Sequence, residues 1–185
     1  MENDLEAKKE QISKVMKTYP DFPRKGVNFV DYFSILYCPE ETKILHEVTI
    51  EVIDKFYANK DKFDVVVGLE TRGFILGMVI SQHYNIPFVP IRKKGKLPGK
   101  CISSDYETEY SKDAVEIQEH ALSESNQVLI VDDLLATGGT LKVATDLVKG
   151  LKAKVSACFV IFELEALKGR EKLDEPDNLI TIFKS

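Results

Sequence analysis

The sequence predicts an α/β fold, a mostly parallel twisted sheet with helices on both faces. Two observations carry that prediction. From residue 63 onward, short β-branched runs (FDVVVG, IPFVPI, QVLIVDD, VSACFVIF) alternate with helical patterns (GFILGMVISQHY, TLKVATDLVKGL). A chain of 185 residues, 44% of them hydrophobic and 30% charged, has the length and composition of one soluble globular domain with a single core.

Each element follows in chain order. Over residues 2–18, Leu5, Ile12, Val15 and Met16 form a sparse apolar stripe, read as a helix that stops at the Tyr19-Pro20 break. The next stretch, PDFPRKGVNFVDYF, holds two prolines and a glycine and reads as a long irregular connection rather than a strand. From Glu40 to Tyr57, apolar residues recur at Leu45, Val48, Val52, Ile53 and Phe56, an amphipathic helix. The polar and aromatic SSDYETEYSK, residues 103–112, has weak periodicity and is expected to be a mobile loop.

Composition also excludes classes of function. A net charge of −5 does not suit a surface built to coat nucleic acid. Cys38, Cys101 and Cys158 are scattered, odd in number and without metal-ligand spacing, so a disulfide framework is not expected and a reducing cytoplasm is. A membrane span is not expected either, because 18 apolar residues never run together, and the charged N-terminal segment lacks the apolar centre of a secretion signal. Cys158 reads as core packing, and His46, His83 and His120 have no partner at ligand spacing.

The chemistry concentrates in VLIVDDLLATGGT, residues 128–140, where a buried strand ends in two acids, then a turn of small residues, then a helix. Gly138 and Gly139 let the backbone approach a ligand closely. The helix beginning near Thr140 directs free N–H groups and its positive dipole end at an anion, with Thr137 and Thr140 adding hydroxyl donors. Adjacent carboxylates accept hydrogen bonds from vicinal hydroxyls, so Asp132 and Asp133 would hold a ribose beside that phosphate. Residues Ala136, Thr137, Gly138, Gly139 and Thr140 are thus expected to form a ribose 5-phosphate site. A second cradle is read in GLETRGF, residues 68–74, where a strand again opens into a helix and Arg72 adds a guanidinium. Arg92, Lys93, Lys94 and Lys96 then cluster just past another strand, an anion-attracting patch in an acidic protein.

VLIVDDLLATGGT resembles the phosphoribosyl-pyrophosphate signature of type I phosphoribosyltransferases, specifically the adenine phosphoribosyltransferase family. YPDFPRKG, GLETRGF, IRKKGKLPG, Glu109-Tyr110 and LKGREKL are similar to segments of that family in the same order, so the likeness runs over roughly residues 18–175. It implies a type I phosphoribosyltransferase fold occupying residues 1–185 as one domain, with an N-terminal helix and base-covering hood over 1–35 and a flexible lid over 97–113. The implied reaction joins adenine to phosphoribosyl pyrophosphate, giving AMP and pyrophosphate, with Mg²⁺ carried mainly by the donor and no direct protein ligand to the metal. By the same resemblance Glu70, Thr71, Arg72, Arg92, Lys93 and Lys96 face pyrophosphate, the Glu70-Thr71 peptide lies where the family often has a cis bond, and part of the basic cluster serves the neighbouring site of a homodimer. Glu109, beside Tyr110, handles the proton on the imidazole half of the base, and Asn28, Phe29 and Val30 contact adenine. At that last segment the family pattern runs aliphatic, Phe, basic, Asp, whereas this chain has Asn28-Phe29-Val30-Asp31 and departs at two positions. Two other readings share these residues: transfer to another purine base, and a non-catalytic sensor of phosphoribosyl pyrophosphate, which the Glu109-Tyr110 pair argues against.

Overall fold

The computed structural model describes residues 2–22, 25, 28–107 and 112–184. They divide into two compact units, Met1–Lys55 and Phe56–Ser185.

In the first unit, helix α1 (Glu2–Val15) buries Leu5 and Ile12 from the stripe noted above. The chain then departs from the irregular connection expected between Tyr19 and Phe33. Strand β1 (Lys17–Pro20) pairs antiparallel with β2 (Asn28–Asp31), with Tyr19 opposite Phe29. Proline does not prevent this, because Pro20 sits at the end of a two-stranded ribbon whose outer edge needs no donor. Asp31 ends β2 and caps the short helix α2 (Tyr32–Leu36), its carboxylate accepting from the Phe33 amide at 3.0 Å. Ser34 locks this corner by donating to the Asp31 carbonyl at 2.6 Å and accepting from the Lys17 amide at 2.9 Å. Helix α3 (Pro39–Phe56) matches the periodic stretch read from Glu40 onward.

The second unit is built on an eight-stranded sheet. Its strands are β3 (Val65–Leu69), β4 (Phe88–Lys93), β5 (Cys101–Glu107), β6 (Lys112–Gln118), β7 (Gln127–Val131), β8 (Leu134–Leu135), β9 (Lys154–Glu163) and β10 (Leu179–Lys184). The order is β10-β9-β7-β3-β4-β6-β5, with β8 also on β9. Neighbours from β10 through β4 run parallel; the β4–β6 and β6–β5 pairings are antiparallel. Segment 103–112, expected to be a loop, therefore departs from expectation at both ends, since Cys101–Glu107 pairs with Lys112–Gln118 in continuous register. Its alternation is hard to see because the described part of β5 is nowhere fully buried, so no apolar face marks it.

Helices cover both faces. Alternate residues Val65, Val67 and Leu69 of β3 share a core cluster with Leu141, Ala144, Leu147 and Val148 of α5 (Gly139–Gly150). Val66, between them, points the other way, where Gly77 of α4 (Arg72–Tyr84) packs against it and the Phe88 ring. Helix α4 joins β3 to β4 and α5 joins β7 to β9. The two crossovers step in opposite directions along the sheet, and right-handed connections that do so must lie on opposite faces. The boundary between β3 and β7 is thus the point where strand order reverses, the ligand-binding crevice of open α/β sheets.

Ile130 is fully buried in β7 within the α5-facing cluster. Ile130→Ala is expected to cost about 2–5 kcal/mol, lowering the melting temperature by roughly 5–15 °C for a domain of this size. Thermal unfolding followed by circular dichroism checks this, and a shift of under about 2 °C would contradict the packing described.

Candidate functional site

Strands β3 and β7 are hydrogen-bonded neighbours, with Gly68 paired to Val131. Their carboxyl ends therefore deliver Glu70-Thr71-Arg72 and Asp132-Asp133 side by side. Gly73 brings them closer still. A Cβ there would strike the Val131 carbonyl oxygen and lie 3.3 Å from the Asp132 Cα, so only glycine lets the start of α4 rest on the end of β7. Across this contact the Arg72 Nε donates to the Asp133 carboxylate at 2.9 Å. The Glu70-Thr71 peptide bond is cis, as the resemblance implied.

Both helices that begin here leave their first turns open. Neither Thr71, which caps α4, nor Gly138, which caps α5, makes a side-chain capping bond, and neither first turn holds an acid. The N–H groups and positive dipole ends of two helices are thus available to anions. Gly138 has φ +80°, a left-handed conformation that turns the loop into α5. Arg72 and residues 132–141 line a pocket of about 200 Å³. That wall contains every residue expected to hold ribose 5-phosphate.

The two aspartates have different surroundings. Asp133 is 2% exposed and structurally engaged, its carbonyl accepting from the Ile161 and Phe162 amides at 3.0 and 2.9 Å. Asp132 is half-buried, and its carboxylate accepts from the Asp133 amide at 2.9 Å. Removal from solvent and the neighbouring Asp133 charge raise Asp132 well above the ordinary aspartate value of 3.8. Burial raises Asp133 as well, with Arg72 opposing the rise. Two carboxylates are held together at a cost that hydroxyl donors or a cation arriving between them would relieve.

The basic turn is ordered by acids. Arg92 forks onto Glu70, with Nε and Nη2 at 3.2 and 2.9 Å from the two carboxylate oxygens, and its Nη1 donates to the Lys96 carbonyl at 3.1 Å. The Lys93 amide also donates to Glu70, at 3.1 Å. Arg92 holds the Glu70 carboxyl below the usual range. Glu116, on β6 opposite Arg92, is buried beneath the turn and accepts from the Lys96 and Leu97 amides at 2.9 and 2.8 Å. Backbone N–H groups, that of Gly95 foremost, hold its carboxyl low. Reading the sequence missed Glu116. The sequence shows only an acid flanked by Val115 and Ile117; the pairing of β6 with β4 is what sets it opposite Arg92.

Asn28, Phe29 and Val30 lie on β2 in the first unit, where Phe22 packs edge-on to Phe29 with ring centroids 5.1 Å apart. Glu109 and Tyr110 lie outside the described residues. No group of three or more metal-ligating side chains occurs among the described residues. No helix there is long and apolar enough to cross a membrane.

Adjacent anion cradles, separated by a carboxylate pair suited to vicinal hydroxyls, fit a phosphorylated sugar carrying a second phosphate group. Comparison with known proteins agrees with that chemistry. A family model described as "Phosphoribosyl transferase domain" matches residues 35–184, and the chain belongs to that family. Its similar relatives are adenine phosphoribosyltransferases. That of Caenorhabditis elegans is 44% identical over 174 residues, 94% of this chain and 91% of that protein. The one from Natranaerobius thermophilus is 45% identical, covering 91% of this chain and 96% of its own. Among solved structures, the Saccharomyces cerevisiae adenine phosphoribosyltransferase complexed with D-2,5-dideoxy-2,5-imino-altritol 1,6-bisphosphate and adenine is similar with a TM-score of 0.90 and 36% identity, over 96% of this chain and 99% of that one. The Giardia lamblia APRTase complexed with 9-deazaadenine gives a TM-score of 0.85 and 36% identity, over 96% and 97%.

A carboxyl whose folded-state pKa is raised stabilises the fold fully only below its unfolded value and loses that contribution as pH rises through the folded value. Asp132 therefore contributes less to stability at neutral pH than it does below 3.8. Asp132→Asn should therefore melt several degrees higher than the parent at pH 7, with the gain shrinking as pH falls toward 3.8. A melting temperature at pH 7 equal to or below the parent's would mean that the pair is not held against its own repulsion.

Proposed function

We infer that this protein transfers the 5-phosphoribosyl group from phosphoribosyl pyrophosphate to adenine, releasing AMP and pyrophosphate in purine salvage. The observation that carries the inference is likeness to adenine phosphoribosyltransferases at 44% identity over 94% of the chain, together with the pocket lined by Arg72 and residues 132–141.

Each residue's role follows from its chemistry. Asp132 and Asp133 accept from the ribose hydroxyls, and residues 136–140 surround the 5-phosphate with backbone donors and the Thr137 and Thr140 hydroxyls. Arg72, the Glu70-Thr71 turn and the cluster of Arg92, Lys93 and Lys96 receive pyrophosphate. As the bond from the anomeric carbon to pyrophosphate breaks, charge builds on the leaving oxygens, and cations fixed beforehand stabilise it without reorganising. A nitrogen of the adenine imidazole ring forms the new bond, and its proton passes to Glu109, with Tyr110 beside it. Residues 97–113 act as the lid that keeps water from the oxocarbenium-like carbon. Adenine recognition falls to Asn28, Phe29 and Val30 of the hood. Val30 replaces a basic side chain of the family pattern without removing a backbone donor or acceptor.

Mg²⁺ suits this set of donors as a passenger of pyrophosphate, whose oxygens supply the hard ligands it prefers. When bound it neutralises phosphate charge. We place the enzyme in the cytoplasm as a homodimer. Arg92 would reach a neighbouring site only by exchanging Glu70 for phosphate.

Steady-state assays with phosphoribosyl pyrophosphate and a panel of purines test the reading. Adenine is expected to give the highest kcat/KM, and the Asp132→Asn, Asp133→Asn double variant is expected to stay folded while losing on the order of a thousandfold in kcat/KM, the scale of removing two charge-assisted contacts. Preference for another purine would move the substrate assignment to the hood. Absence of turnover with every base, alongside tight donor binding, would make the protein a sensor.

A further inference from the structure

Nothing in the phosphate-binding chemistry accounts for the chain after β9, although its backbone touches the phosphate loop directly. Residues Gly169–Lys172 form a short 3₁₀ turn, and Gly169 within it is buried. A Cβ on Gly169 would run into the Ala136 carbonyl oxygen, lie 2.8 Å from the Gly138 amide nitrogen and 2.9 Å from a Leu135 methyl. The converse also holds, since a Cβ on Gly138 would lie 3.0 and 3.1 Å from the Gly169 carbonyl carbon and Cα and would strike its oxygen. Gly138 has a left-handed φ, but Gly169 does not. Gly169 is therefore demanded by space alone: two backbones meet here with no side chain between them.

The next residue fixes where that backbone lies. Arg170 forks onto Glu163, with Nε and Nη2 at 2.7 and 2.5 Å from the two carboxylate oxygens, and its Nη1 donates to the Pro176 carbonyl at 2.8 Å. Glu163 is 4% exposed, and Arg170 holds its carboxyl below the usual range. It ends β9 in register with Leu135 of β8, the last residue before the phosphate loop, and the Leu164 amide donates to the Leu135 carbonyl at 2.9 Å. One buried carboxylate thus joins the strand that enters the loop to the turn that backs it.

We propose that Gly169, held by the Arg170–Glu163 fork, is a positioning residue for the 5-phosphate: it sets the depth of loop 136–138 and hence the distance from the α5 amides to the phosphate. None of the three residues touches the ligand. The proposal rests on the ribose 5-phosphate reading of that loop. It predicts an effect confined to one half of the substrate, because the pyrophosphate cradle at Glu70–Arg72 belongs to a different strand end.

The test compares Gly169→Ala with the parent enzyme in two measurements: calorimetric titration with ribose 5-phosphate, and the KM of pyrophosphate in the reverse reaction with saturating AMP. A displacement of about an ångström in a positioned group costs on the order of a hundredfold. Ribose 5-phosphate should accordingly bind at least about tenfold more weakly, while the KM of pyrophosphate stays within about twofold. Arg170→Lys, which keeps the charge but loses the bidentate fork, should show a smaller shift with the same split. It also serves as the test if Gly169→Ala does not fold. Unchanged ribose 5-phosphate affinity in a folded variant would overturn the proposal, as would equal weakening for both ligands. Failure of the parent itself to bind ribose 5-phosphate would instead overturn the reading of the loop.

Discussion

The parallel pairing of β3 with β7 is the constraint on which the rest of the site depends. Because Gly68 lies opposite Val131, the two chains leave the sheet at the same level. Because their crossovers run in opposite directions, α4 and α5 start on opposite faces of the crevice, each with its amino end toward it. A site for two phosphate groups with a sugar between them needs two positive cradles at a fixed spacing. The sheet supplies that spacing through its strand separation, which side-chain motion cannot alter.

Electrostatics adds a second layer. Both arginines described near the crevice are matched to a carboxylate: Arg72 to Asp133, Arg92 to Glu70. Such pairs orient a guanidinium while it awaits a stronger anion, and they oppose the rise in carboxyl pKa that burial causes. Asp132 is the exception, half-buried beside another acid and raised in pKa by both causes. Strain of this kind is common where groups are arranged for a ligand rather than for the fold.

How much of this was legible in the sequence depended on whether a pattern was local. Strands buried on both faces, such as Val65–Leu69 and Gln127–Val131, announce themselves as apolar runs, and the glycines and acids of residues 132–140 stand beside one of them. The β1–β2 ribbon and the β5–β6 pair were hidden, since β1 is exposed throughout and prolines argued against the ribbon, while β6 buries Val115 and Ile117 but pairs with a largely polar β5. Glu116 and the Glu163–Arg170 pair were hidden for another reason. Their significance comes from what lies across the sheet or along a later turn, and no spacing within one element reveals it.

The measurement closest to the central claim is a crystal structure of the protein with ribose 5-phosphate bound. The phosphate is expected about 3 Å from the backbone N–H groups of residues 137–140 at the start of α5, with the ribose hydroxyls on Asp132 and Asp133. A phosphate bound instead at the start of α4, or a sugar that leaves both aspartates unengaged, would contradict it.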